Sequence, residues 1–229
     1  MTIQLYAFDT PNARKISVAL EEMALAYEVR VVDITQGEQN ATDFLKISPN
    51  NKMPAIVDSD GPDGKPISIF ESGAILLYLA GKTAKFLPTD VRGKYIALQW
   101  LMFQMGGVGP MLGQAHHFRI YAPEKVEYAI NRYTNEAKRL YGVMDRRLGE
   151  AKYFAYEYSI ADMAIFPWTR SYANQGVDLA DYPNVKRWYE SIDARSAVKR
   201  GVQVLADRRK PVNDKEKETL FGAKQYERR

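Results

Sequence analysis

The first third of the chain alternates between the hydrophobic period of strands and that of helices. Apolar residues dominate positions 3–7, and positions 27–32 alternate between apolar and polar side chains, which predicts a strand at each place. Between these strands, apolar side chains recur at the spacing of one helix face: Ile16, Ala19, Leu20, Met23 and Ala24. A strand, a helix and a second strand in this order normally pair the two strands in parallel.

Shorter elements follow. We predict a helix over 42–47, strands over 55–57 and 67–70 on either side of the Gly-Pro-Asp-Gly turn at 61–64, and a helix over 71–82. The order β-α-β-α-β-β-α is typical of an open sheet with helices packed on it. Residues 1–83 are therefore predicted to form an α/β domain.

The second part of the chain shows only helical patterns. After a predicted linker over 84–90, these patterns cover 91–118, 124–148, 160–173, 184–194 and 197–205. Ser159 and Asp162 have the spacing of a capping box, which predicts the start of one of these helices. Residues 91–205 are thus predicted to be an all-helical domain. Residues 206–229 follow no pattern, and we expect a solvated charged tail there.

Composition narrows the classes of function. The chain has 229 residues and no cysteine, which excludes disulfides, cysteine-ligated metals and a catalytic thiol of the protein's own. The net charge of +4 does not indicate a nucleic-acid partner, because residues 206–229 alone hold eight Lys/Arg and five Asp/Glu. No apolar run reaches the ~18 residues of a membrane helix. We expect a cytoplasmic protein with no metal, membrane or nucleic-acid partner.

Three short stretches carry possible chemistry, and the first is Thr10-Pro11-Asn12 at the joint between the first strand and helix. Such a joint aims backbone N–H groups and the positive end of the helix at one point, which favours an anion. Pro11 suits a first helical turn, and Thr10 or Asn12 can cap it. Taken alone, the stretch is also typical of an ordinary helix start.

The second stretch is Met53-Pro54, directly before the strand over 55–57. A cis peptide bond there would turn the backbone N–H and C=O of Met53 to one side, where a peptide-like ligand can pair with them. A trans proline that starts an edge strand is the ordinary alternative.

The third stretch is Glu71-Ser72, at the start of the predicted helix over 71–82. Such a pair can hold an α-amino acid head group, with Glu71 binding the ammonium while Ser72 and the helix N-terminus bind the carboxylate. An acid is also common at a helix start for its favourable interaction with the helix dipole.

Together, these stretches and their order resemble the glutathione S-transferase superfamily from about residue 3 to 205. The matching stretches are Thr10-Pro11-Asn12, ISPNNKMPAIV at 47–57, FESGAILLYL at 70–79, GPMLGQ at 109–114 and YSIAD at 158–162. They look like the nu class, whose bacterial members act as glutathione-dependent disulfide-bond oxidoreductases. The resemblance implies a thioredoxin-like N-terminal domain, an all-α C-terminal domain, a homodimer and a cis Met53–Pro54 bond. The stretch YFAYE at 153–157 departs from relatives, which often carry Gly-Gly there.

The resemblance also implies a role for each matching residue. Glu71 and Ser72 match the pair that holds the γ-glutamyl head, and the backbone of Met53 matches the position that pairs with the cysteinyl unit. Gln39 and Lys52 lie where glutathione is contacted near its glycine end. Thr10 and Asn12 match residues that face the glutathione sulfur. Arg132 matches an arginine that helps to hold a glutathione carboxylate. In this class, two glutathione molecules or one glutathione disulfide can share a site.

The absence of cysteine shapes the mechanism that the resemblance implies. The protein cannot form a mixed disulfide with glutathione, so bound glutathione must supply the attacking thiolate. We expect Thr10 and Asn12 to donate hydrogen bonds to that sulfur. Conjugation of glutathione to electrophiles is the alternative reaction, since the same thiolate can attack carbon. A non-catalytic glutathione-binding regulatory module is the third possibility.

Overall fold

The structure, a computed structural model, describes residues 2–208 and 213–223. The described residues form two compact units, of which the first lies within 1–75 and 200–229 and the second within 76–199. The division into domains at 1–83 and 91–205, drawn from sequence patterns, stays a prediction.

A four-stranded sheet organises the first unit. Its strands are β1 (Ile3–Ala7), β2 (Tyr27–Val31), β3 (Ala55–Asp58) and β4 (Ile67–Phe70), in the spatial order β2-β1-β3-β4. β1 and β2 are parallel, as predicted for a strand–helix–strand unit, and the β1–β3 and β3–β4 pairs are antiparallel. The helices are α1 (Pro11–Met23), α2 (Thr42–Ile47) and the start of α3 (Ser72–Thr83). The bounds of the four strands, of α2 and of α3 each lie within one residue of their predicted positions.

The predicted apolar face of α1 forms much of the core of this unit. Ile16, Ala19 and Leu20 are fully buried, and Met23 nearly so. Ala24 was predicted to continue this face, but it is exposed and ends the helix in the left-handed conformation, with φ of 57°.

The end of the chain returns to the first unit. Residues 200–203 belong to α9 (Ser196–Gln203), and the Ser17 hydroxyl on α1 donates to the carbonyl of Gly201 at 2.6 Å. A Cβ on Gly201 would lie 2.6 Å from the Cα of Val18, so only glycine permits this approach. Arg200 adds an ion pair with Glu21 at 2.6 Å.

The predicted charged tail over 206–229 contains a helix among its described residues. Helix α10 (Asp214–Phe221) lies within it, and a capping box formed by Asn213 and Glu216 starts the helix. Residues 209–212 and 224–229 of the predicted tail lie outside the described residues.

The second unit is helical throughout its described elements, as predicted. Its helices are the rest of α3, α4 (Val91–Phe103), α5 (Gly109–His116), α6 (Glu127–Glu150), α7 (Ile160–Thr169), α8 (Pro183–Asp193) and the beginning of α9. π-helical turns at 104–108 and 117–121 continue α4 and α5, which accounts for the single long helix predicted over 91–118.

The predicted capping box of α7 is present and extends into the core. The Asp162 carboxylate accepts from the Ser159 backbone N–H at 3.0 Å and from the Trp188 indole N–H at 2.8 Å. Asp162 and Trp188 are both fully buried, so this carboxylate joins the start of α7 to α8.

Candidate functional site

The register of the sheet brings the three predicted stretches together at one end of the strands, the edge that carries the candidate site. Tyr6 near the end of β1 lies opposite Ala55 at the start of β3, and Ala55 lies opposite Phe70 at the end of β4. The chain that follows β1, the chain that precedes β3 and the chain that follows β4 therefore meet at the same end of the sheet.

Thr10 caps α1 at this edge. It has extended backbone angles, and its side-chain oxygen accepts from the Ala13 backbone N–H at 3.2 Å, while Pro11 occupies the first helical turn. Because the Thr10 oxygen acts here as an acceptor, its hydroxyl proton can still be donated to an anion. Thr10 and Asn12 are both half-buried.

A buried ion pair supports the joint, and sequence reasoning missed it. Asp9 and Arg14 form a salt bridge, with side chains 1% and 8% exposed. Arg14 thereby balances a carboxylate one residue before Thr10. A buried charge that loses its partner is strongly destabilising, so the two residues act as a pair.

The loop before β3 presents backbone rather than side chain. The Met53–Pro54 peptide bond is cis, the isomer that the family resemblance implies. The Met53 side chain packs in a core cluster with Val32, Phe44 and Ala55, which leaves its backbone as the part that can meet a ligand. Lys52 is exposed, and its carbonyl accepts from the Ser48 hydroxyl at 2.7 Å.

Gln39 is buried, although the resemblance places it near the glycine end of glutathione. It lies in the short helical turn Glu38–Asn40 and is 4% exposed, and its side-chain oxygen has no hydrogen-bond partner among the described residues. The neighbouring Asn40 accepts from the Asn51 amide at 2.9 Å, which ties this turn to the loop before β3.

Glu71 and Ser72 form the third part of the edge. Ser72 is buried at the start of α3, and Glu71 is exposed with its carbonyl accepting from the Ile75 N–H at 2.9 Å. Glu71 has φ of 68°, a left-handed conformation that is uncommon outside glycine and is concentrated at functional sites.

Lys15 is a component of this edge that sequence reasoning missed. Its ammonium donates to the Ser72 hydroxyl at 3.2 Å, although the side chain is only 1% exposed. Burial lowers the pKa of Lys15 to about 7, against the attraction of the Glu71 carboxylate. The sequence signal available was a lysine directly beside Ile16, at the margin of the apolar face of α1.

Arg132 lies in the second unit, exposed on α6. It lines an open groove of about 650 Å³ with side chains that include Tyr128, Asn131 and Glu136. The groove combines aromatic surface with charges of both signs.

Within residues 2–208 and 213–223, no group of three or more His, Asp or Glu side chains is arranged to hold a metal ion. Over the same residues, no helix has both the length and the apolar character needed to cross a membrane.

A thioredoxin-like sheet brings together the joint between β1 and α1, the loop with the cis proline and the acid–serine pair, and a helical unit follows it. This is the arrangement of glutathione transferases. Residues 1–81 match the glutathione S-transferase N-terminal domain, and residues 108–196 match the glutathione S-transferase C-terminal domain. The chain belongs to the glutathione S-transferase family.

Similar proteins include two from Escherichia coli strain K12. The disulfide-bond oxidoreductase YfcG is 52% identical over 85% of this chain and 92% of its own. The disulfide-bond oxidoreductase YghU is 42% identical over 87% of this chain and 73% of its own. Among solved structures, a glutathione transferase from Pseudomonas putida with one glutathione disulfide bound per subunit has a TM-score of 0.86 and 45% identity, covering 89% of this chain and 91% of that chain.

Proposed function

We propose that this protein is a glutathione-dependent disulfide-bond reductase in which bound glutathione supplies the thiolate. The observation that carries the proposal is the convergence of Thr10, the Met53 backbone and the Glu71–Ser72 pair at one edge of the sheet. The names of YfcG and YghU support the reaction class, and the glutathione disulfide bound to the Pseudomonas putida transferase supports the ligand.

The proposed site holds glutathione along this edge. Glu71 takes the γ-glutamyl ammonium, Ser72 and the start of α3 take its carboxylate, and the Met53 backbone, presented beside cis Pro54, pairs with the cysteinyl unit. The exposed ammonium of Lys52 and the turn that carries Gln39 serve the glycine end. Arg132 is proposed to bind a further glutathione carboxylate. One or two glutathione molecules, or one glutathione disulfide, occupy each site.

The proposed reaction proceeds by two thiol–disulfide exchanges. The thiolate of bound glutathione attacks one sulfur of the substrate disulfide, forming a glutathione mixed disulfide and releasing a thiolate that takes up a proton. A second glutathione thiolate then attacks the glutathione sulfur of that mixed disulfide, which yields glutathione disulfide and the second product thiol. The chain has no cysteine, so its own contribution is positioning and stabilisation of the thiolate by Thr10 and Asn12.

The setting follows from the chemistry and the family. The reaction consumes reduced glutathione, which the cytosol maintains, so we place the protein in the cytoplasm. We also propose membership of the nu class and a homodimeric assembly, by resemblance. The proposed partners are glutathione and a disulfide or an electrophilic small molecule, with no nucleic acid or membrane.

The test compares two reactions of the same thiolate. Reduction of hydroxyethyl disulfide by glutathione is followed through glutathione reductase and NADPH, beside conjugation of glutathione to a chloronitrobenzene. Strong disulfide turnover with weak conjugation supports the proposal, whereas conjugation without disulfide turnover would make the protein a conventional transferase. Glutathione binding without either reaction would identify a regulatory module.

A pair of matched variants tests the site itself. Glu71→Gln removes the carboxylate proposed to bind the ammonium and should weaken glutathione binding in calorimetry. Glu28→Gln removes another exposed carboxylate, from β2, the outer strand on the side of the sheet away from β4, and should not. Equal affinities of the two variants and the wild type would contradict the assignment of Glu71.

A further inference from the structure

Lys15 is a buried cation at the proposed glutathione site, and the roles assigned above do not use it. It lies on α1, five residues after the Thr10 cap, and its side chain is 1% exposed. Burying an ammonium is costly unless it is compensated by hydrogen bonds or opposite charge. Its position against Ser72, at 3.2 Å, places that charge where the head group of a ligand is expected.

The balance of charge around Lys15 favours a further carboxylate. Burial is the larger influence and lowers the pKa of Lys15 to about 7, while the Glu71 carboxylate raises it. Near neutral pH the lysine is therefore protonated only part of the time. A ligand carboxylate bound at Ser72 would bring a second negative charge close to the ammonium and stabilise its protonated form.

We propose that Lys15 is a positioning residue that orients the Ser72 hydroxyl and supplies the positive charge against which the α-carboxylate of a γ-glutamyl group binds. This inference rests on the proposed glutathione site. It makes Lys15 a determinant of specificity for ligands whose γ-glutamyl head carries a free α-carboxylate. Glu71 then binds the ammonium of the zwitterionic head group, and Lys15 supplies the charge opposite its carboxylate.

The test crosses a protein change with a ligand change. Lys15→Met keeps the length of the side chain and removes its charge, while Glu71, the carboxylate that acts on Lys15, is exposed to solvent. The two ligands are glutathione and its analogue in which the γ-glutamyl α-carboxylate is an amide. We expect the wild type to prefer glutathione by about 10- to 100-fold in calorimetry, the effect of one charge-assisted hydrogen bond. Lys15→Met should lose much of that preference, and the contacts of Ser72 and the start of α3 to the carboxylate account for what remains.

The control is a second buried polar residue of α1. Ser17→Ala removes a hydrogen bond to Gly201 without touching Ser72, and it should leave the preference for the carboxylate intact. In steady-state assays, Lys15→Met should raise KM for glutathione more than it lowers kcat, since the proposed contact is to the head group and not to the sulfur.

Each outcome bears on a different claim. If Lys15→Met weakens both ligands equally, Lys15 has only a structural role and the inference is overturned while the proposed function stands. If the wild type binds both ligands equally, the inference is overturned without any variant, which covers failure of Lys15→Met to fold. If the wild type does not bind glutathione at all, the proposed function and this inference both fall.

Discussion

Replacing Thr10 by alanine removes one hydroxyl that has two separable roles. The oxygen caps α1 by accepting from the Ala13 N–H at 3.2 Å, and the proton is proposed to be donated to the glutathione sulfur. Loss of the cap costs about 1 kcal/mol of stability. Loss of the donor acts on the ionisation of the bound thiol, which gives it a different signature.

The size of the second effect follows from the strength of a charge-assisted hydrogen bond. Such a bond is worth ~1.5–3 kcal/mol, or about one to two pKa units, so it would move an ordinary thiol from a pKa of ~8.5 to roughly 6.5–7.5. At pH ~7 the thiolate fraction would then fall from roughly 25–75% in the wild type to about 3% in Thr10→Ala. The less stabilised thiolate is however about 3- to 8-fold more nucleophilic, from a Brønsted slope of ~0.4–0.5.

These two effects predict pH profiles that cross. Near neutral pH the variant should be about threefold slower in disulfide reduction, because the loss of thiolate exceeds the gain in nucleophilicity. Above pH ~9 both proteins hold thiolate, and the variant should be about 3- to 8-fold faster. The measurement is the pH–rate profile, together with the ultraviolet absorbance of bound glutathione thiolate.

Two control variants separate the cap from the sulfur contact. Thr10→Ser keeps the hydroxyl and should retain the wild-type profile. The Asp90 carboxylate caps α4 by accepting from the Gly93 N–H at 2.8 Å. Asp90→Ala removes this cap and should lower stability without moving the pH–rate profile. Parallel profiles for Thr10→Ala and wild type, with unchanged thiolate absorbance, would refute the assignment of Thr10 to the sulfur.

Three further predictions concern stability, each read from denaturant unfolding. Arg14→Met leaves the Asp9 carboxylate buried without its cation and should cost about 3–5 kcal/mol, much of it recovered when Asp9→Asn is added; no recovery would contradict the pairing. Gly201→Ala places a Cβ against the Val18 backbone and should cost about 1–3 kcal/mol, and a neutral result would show that α9 shifts freely. Burial raises the pKa of Asp162 to about 6, so between pH ~4 and ~6 the folded state binds a proton that the unfolded state lacks. On acidification through that window, the free energy of unfolding of the wild type should rise by up to roughly 3 kcal/mol relative to that of Asp162→Asn. A constant difference between the two proteins would contradict the raised pKa.

The local periodicity of apolar residues was sufficient to predict most elements of the fold. The predicted helix over 42–47 has the observed bounds of α2, and the capping box at Ser159 starts α7 as expected. These elements are specified by neighbouring residues, so a single sequence carries the signal. The same type of signal is present for α10, where Asn213 and Glu216 form a capping box, but the high charge of the segment is typical of a solvated tail.

The candidate site could be predicted only where its motifs were local. Thr10 and Glu71 stand at element boundaries that the pattern reveals, whereas the buried Lys15 donates to Ser72, a residue 57 positions later. A lysine is almost never fully buried unless it is paired, so its residue type argued against the observed position. Side-chain pairs that tertiary packing creates leave no period in the sequence.

Helix α1 links the two ends of the proposed ligand. Thr10 and Lys15 are five residues apart, which is about 7–8 Å along a helix axis, and two extended residues span a similar ~7 Å. One helix can thus present its capped end to the sulfur and its second turn to the γ-glutamyl head. Both groups are fixed to one helix, and the Ser72 hydroxyl is held against it, so in the proposed site the distance between head group and sulfur is set before glutathione binds. The positioning that a protein without cysteine must supply is therefore built mainly into α1 and the sheet edge on which it starts.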